Sequence, residues 1–224
     1  MTERKIATIA ELQAIQVTDN AEPLVNLTNF LPAYCCRYQR KDSSVKTVLV
    51  RQTVAERLQN VQARLQKRAP GLHLVVEEGY RSPDYQERYF IQQLLLETAI
   101  QPAMELTALL EAVHQRVALP SVAGHPTGGA IDVTIADSGI NLDMGGAIAD
   151  FSEPHLLPTD SLVISSNQQS NRMILHDLMV AEGFAPFYGE WWHFSYGDRE
   201  WAAFYGLKKS LYQTICSLCY SRGT

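Results

Sequence analysis

The sequence predicts an α+β fold in a single domain, with a central, mainly antiparallel sheet flanked by helices. Three observations carry this. Helical stripes and short β-rich runs both occur, and they do not alternate regularly as a doubly wound sheet requires. The length, 224 residues, fits one large domain with a substantial core. Neither an internal repeat nor a low-complexity segment breaks the chain.

The elements follow in order. Residues 1–45 read as an irregular N-terminal segment packed on the domain, with Pro23, Pro32 and the polar run Arg40 to Ser44. From Val50 the spacing is helical: Val54, Leu58, Val61 and Leu65 share a stripe, and Pro70-Gly71 ends it. Leu72 to Val76 is a short strand rich in Val and Leu, running into a turn at Glu78 to Pro83. Asp84 to about Val117 is helical, interrupted near Pro102. A glycine- and proline-rich loop, 120–129, leads to Ala130–Ile135, which alternates as a strand does. A long irregular stretch reaches about Ser170, and loops of that length in compact domains are often functional. Asn171–Glu182 is a helix stopped by Gly183. Trp191–Tyr196 is β-like, residues 199–213 are a last helix or helical turn, and 214–224 form a tail.

Composition narrows the function. Net charge is −5, without the basic excess that nucleic-acid binding needs. No run reaches the roughly 18 apolar residues of a membrane span. Arg4 and Lys5 resemble the start of a signal peptide, but Glu11, Gln13 and Gln16 break the run after them, so the expected location is cytoplasmic. Cys35 and Cys36 are adjacent, and Cys216 and Cys219 form a CxxC. Adjacent cysteines make a poor zinc knuckle, so the four read as reduced, partly buried thiols.

Three segments hold chemistry: Gly79–Pro83, His125–Asp132 and Glu190–His193. Gly128-Gly129 lets the chain turn back, so His125 in the loop can meet Asp132 on the following strand. His193 from another strand would complete two imidazoles and one carboxylate, a set that leaves zinc an open position. Glu190, three residues before His193, is suited to act as a base off the metal. Blander readings compete. Singly, His125 is a loop histidine, Asp132 a turn or cap residue, Glu190 a surface carboxylate, and Trp191 and Trp192 core. The spacing alone is weaker than an HExxH motif.

The combination resembles the zinc-dependent D-alanyl-D-alanine dipeptidase family. Its motif H-x-x-G-x-A-x-D stands as His125, Gly128, Ala130 and Asp132, its E-W-W-H as Glu190–His193, and its G-Y-R-P-like segment as Gly79–Pro83. Asp143-Met144-Gly145, Asp150-Phe151, Asn171-Arg172 and Gly183-Phe184 also follow the family's order, so the likeness spans roughly residues 72–206. It implies one zinc ion per chain on His125, Asp132 and His193. Glu190 would be the base that activates the zinc-bound water and passes the proton to the leaving amine. Arg81 would stabilise the oxyanion, and Asp150 would bind the substrate's amino group. The fold implied is the one shared with the Hedgehog signalling domain, and the partner is a small dipeptide.

Some positions depart from the family. Its vancomycin-resistance dipeptidase has two serines before the first zinc histidine; here they are Ala123 and Gly124, so one polar pocket contact is missing. The stretch from Met144 to Asp150 is one residue longer, which makes Glu153 a substitute for Asp150. His73, His114 and His176 read as structural, and His155 lies near the expected pocket. Three functions remain open: hydrolysis of D-Ala-D-Ala, a D,D- or L,D-carboxypeptidase that trims peptidoglycan stem peptides, and a non-catalytic zinc domain. Glu190 and Arg81 argue against the last, since structural zinc needs neither.

Overall fold

The computed structural model describes residues 6–38 and 47–215; Cys216 and Cys219 lie outside them. In chain order the elements are α1 (Ile9–Gln13), β1 (Leu24–Asn26), β2 (Leu49–Arg51), α2 (Gln52–Arg68), β3 (Leu72–Glu78), α3 (Pro83–Ile100), α4 (Leu106–His114), β4 (Ala130–Asp137), β5 (Ile140–Asn141), α5 (Ser166–Ala181), β6 (Ala185–Pro186), β7 (His193–Ser195) and α6 (Arg199–Phe204). Five strands form the main sheet in the order β3-β4-β7-β6, with β5 on β4, and every pairing is antiparallel. β1 and β2 form a separate antiparallel pair. This is the mixed helix and antiparallel-sheet fold that the sequence predicts.

Alternation along β4 divides the molecule. Ile131, Val133 and Ile135 join the core with the α2 stripe Val54, Leu58, Val61 and Leu65, and with Leu175 and Met179 of α5. Asp132 and Thr134, one residue out of phase, face the other way and are also buried. That second face carries polar chemistry, under α3 and the segment after α4. None of the described helices is long and apolar enough to cross a membrane.

The segment read as irregular holds α1, β1 and two 3-10 turns, and Leu12, Leu27 and Leu31 are buried. Strands of two or three residues, such as β1, β2 and β6, are too short to show a period. α5 begins five residues earlier than the apolar spacing indicates. A capping box sets its start: Ser165 accepts from the Gln168 backbone N–H, and the Gln168 side chain accepts from that of Ser165. The last helix is short, only Arg199–Phe204.

Candidate active site

One rung of the sheet organises the site. Glu78 on β3 lies opposite Asp132 on β4, which lies opposite His193 on β7. A bulge between Val76 and Glu78 resets the β3 register, so Glu78 rather than Glu77 faces Asp132. His125 joins from a 3-10 turn ended by Gly128 at φ 76°, a left-handed conformation that favours glycine. The Gly79 carbonyl accepts from His125 Nδ1 at 2.8 Å. That bond holds a proton on Nδ1 and turns Nε2 towards Asp132 Oδ2, 3.5 Å away. His193 Nδ1 lies 3.1 Å from Asp132 Oδ1.

His125, Asp132 and His193 are all buried, and each offers a ligand atom within 4.8 Å of the others. Two imidazoles and a carboxylate, with one histidine's tautomer already fixed, suit a zinc ion with an open position. The residues fit the metal that the family implies. Electrostatics agree: burial resists charge on Asp132, but His125 and His193 outweigh it and hold the carboxyl far below its usual range. Burial likewise opposes charge on His193, yet Asp132 and Glu200 raise it well above the ordinary histidine value.

Glu190 sits in the turn before β7, where its N–H donates to the Phe187 carbonyl and its carbonyl accepts from His193 N–H. Its carboxyl is pushed up to about 8, chiefly by burial, with His193 opposing and Asp132 adding to the rise. Arg81 follows a turn that needs Gly79, because a Cβ there would strike the Leu49 carbonyl of β2. Its guanidinium grips Glu78 (Nε to Oε1 3.0 Å, Nη2 to Oε2 2.6 Å), donates to Gln86 Oε1 at 3.0 Å, and brings Nη2 to 4.0 Å from Asp132. These groups share a cavity of about 400 Å³, closed in part by Tyr89, Arg116, Phe151 and Trp192.

Asp150 is placed differently. Its neighbours Ala149 and Phe151 line the cavity, but its own carboxylate is exposed and accepts from Ser152 N–H at 3.1 Å. Glu153 is exposed as well, 3.5 Å from an exposed His155. Trp191 and Trp192 both belong to the core, and Trp192 also borders the cavity. His73 is buried against Tyr34, and His114 is buried, its Nδ1 accepting from Leu119 N–H.

Gly124 has a reason of its own. A Cβ there would run into the Asp198 carboxylate and lie 2.9 Å from Ala130 Cβ, so a serine does not fit. Sequence reasoning passed over Glu78, Gln86, Arg116 and Glu200, all of which border the cavity. Only Glu78 carried a local signal, a carboxylate three residues before Arg81 in the same turn.

A family model described as D-ala-D-ala dipeptidase, peptidase M15, matches residues 33–213, well beyond the motif-bearing span. A D-alanyl-D-alanine dipeptidase of Synechocystis sp. (strain ATCC 27184 / PCC 6803 / Kazusa) is 27% identical, over 90% of this chain and 93% of its own. Two solved structures are more distant. The LdcB LD-carboxypeptidase is 20% identical (88% of this chain, 86% of that one, TM-score 0.48). VanYB in complex with D-Alanine-D-Alanine is 19% identical (90% and 97%, TM-score 0.43). With most of its length matched by the family model, the chain belongs to the M15 peptidases, the D-Ala-D-Ala dipeptidase family, and is a hydrolase.

Proposed function

We propose that the protein is a zinc-dependent dipeptidase that hydrolyses D-Ala-D-Ala to two D-alanines. The observation that carries this reading is the convergence, in one cavity, of the His125–Asp132–His193 triangle with Glu190 and Arg81. Zinc on the triangle would supply Lewis acidity and make water nucleophilic near neutral pH. Glu190 takes a proton from the attacking water and delivers it to the amide nitrogen as the C–N bond breaks. A carboxyl that burial raises to about 8 suits that exchange, since the cation expected beside it draws the value back down.

Arg81 faces the oxyanion. A guanidinium has five N–H groups, and among the described residues Glu78 takes two and Gln86 one. One N–H stays on each terminal nitrogen for an oxygen that gains charge in the transition state. The Glu78 clamp fixes the fork, so little reorganisation accompanies reaction.

The amine end of the substrate divides two readings. Asp150 is the proposed ammonium holder, with Glu153 the alternative. The exposed position of Asp150 at the cavity rim favours a second reading, a D,D- or L,D-carboxypeptidase with an open groove there. Rates on D-Ala-D-Ala, N-acetyl-D-Ala-D-Ala and longer D-Ala-terminated peptides separate them. The dipeptidase reading expects D-Ala-D-Ala to be cut faster than its acetylated form, and Asp150→Asn should shrink that preference. Equal rates on all three would replace it with the carboxypeptidase.

A further inference from the structure

We infer that Glu200 is a positioning residue whose carboxylate holds the His193 ring from behind, so that Nδ1 is the nitrogen offered to the metal. This rests on the zinc reading above and adds a residue that the family motifs do not mark. An imidazole offers a metal one nitrogen, and the partner of the other nitrogen decides which. His125 meets this requirement with the Gly79 carbonyl on Nδ1. His193 needs the opposite arrangement, because its Nδ1 is the atom facing Asp132.

Its Nε2 is buried and has no aligned hydrogen bond, and Glu200 Oε2 lies 3.4 Å away. A small ring rotation would bring the two into bonding range, about 2.7–3.2 Å. Glu200 is in turn anchored. Ser195 Oγ, from β7 itself, donates to Oε2 at 3.3 Å. The residue occupies the first turn of α6, whose cap is Asp198, accepting from Trp201 N–H at 2.9 Å. Trp201 and Ala202 then pack α6 onto buried apolar residues. The carboxylate thus stands on a fixed element, 3.4 Å from the ring nitrogen it faces. A largely buried carboxylate is costly without such a partner, and anions on both sides of one imidazole complement a dication.

Glu200 also forms part of the wall between the catalytic cavity and a second cavity of about 680 Å³ that contains Ile6, Leu12 and Phe204. Truncation would open that wall, so the near-isosteric Glu200→Gln is tested beside Glu200→Ala. Zinc affinity of the full chain is measured by competition with a chromogenic chelator. The His193 ring nitrogens are followed by ¹⁵N NMR in the zinc-loaded protein. Loss of such a partner typically weakens metal binding about 10–100-fold. We expect that loss in Glu200→Ala, a smaller one in Glu200→Gln, and in both a shifted, faster-exchanging Nε2–H signal. Wild-type affinity in both variants with an unchanged His193 spectrum would overturn the inference and leave the zinc site standing. A wild type that binds no zinc, or a His193→Ala variant that binds it equally well, would instead remove the zinc reading itself.

Discussion

Glu190 and Asp132 are two buried carboxylates in one cavity, and their surroundings drive them apart. Asp132 faces two imidazoles and is held ionised, whereas burial dominates Glu190 and pushes it to about 8. Such divergence separates a ligand from an acid–base group. Glu190→Gln should therefore lose at least about 10²-fold in kcat and keep its zinc; near-normal turnover would leave the base unassigned. Arg81→Ala should lower kcat more than it raises KM, because the oxyanion forms only beyond the ground state. An effect on KM alone would make Arg81 a substrate anchor. The sequence singled these residues out through three family-like motifs in order rather than through spacing, which alone is weaker than an HExxH motif. Glu200 was not singled out: in sequence it is an ordinary acidic residue in a helix's first turn. Only the fold brings it against His193, across seven residues and a turn.

At the scale of elements, the long loop between β5 and α5 is fastened to α5 by several side chains, Arg172 chief among them. Arg172 on α5 is buried and donates to three loop carbonyls: Nε to Met144 (2.6 Å), Nη1 to Pro158 (2.6 Å) and Nη2 to Leu156 (2.7 Å). Burial draws its pKa down to about 10, which leaves it charged at neutral pH. The loop includes Phe151, which stacks edge-on against Trp192 at the cavity. Arg172→Lys keeps a charge but loses the planar fork. It should cost roughly 2–3 kcal/mol, the scale of one or two hydrogen bonds to a charged group. Amide exchange over residues 144–158 should quicken; unchanged exchange there would show that the loop is held some other way. The sequence marked Arg172 by its place in a motif order but not by its task, because backbone carbonyls leave no trace in a sequence. The α2 and β4 patterns were readable since their apolar periods run long enough to count. β1, β2 and β6 were not, and register and tertiary pairing alone make them strands.

Across the whole molecule, one antiparallel sheet serves two purposes. Its inner face buries the α2 and α5 core, and its outer face lines up Glu78, Asp132 and His193 across three strands. The ligands come from a turn and two strands far apart in the chain, so a bound ion ties those segments together. Zinc at about 100 times its dissociation constant adds about 2.7 kcal/mol to stability, and chelation should lower the Tm accordingly. The central claim is that this rung and its turn make a zinc-dependent peptidase, and titrating metal-stripped protein with zinc while following D-alanine release from D-Ala-D-Ala tests it most directly. The account predicts negligible release without metal and a rise that levels off at one zinc per chain. Full activity in the stripped protein, or no release at any zinc level, would contradict it.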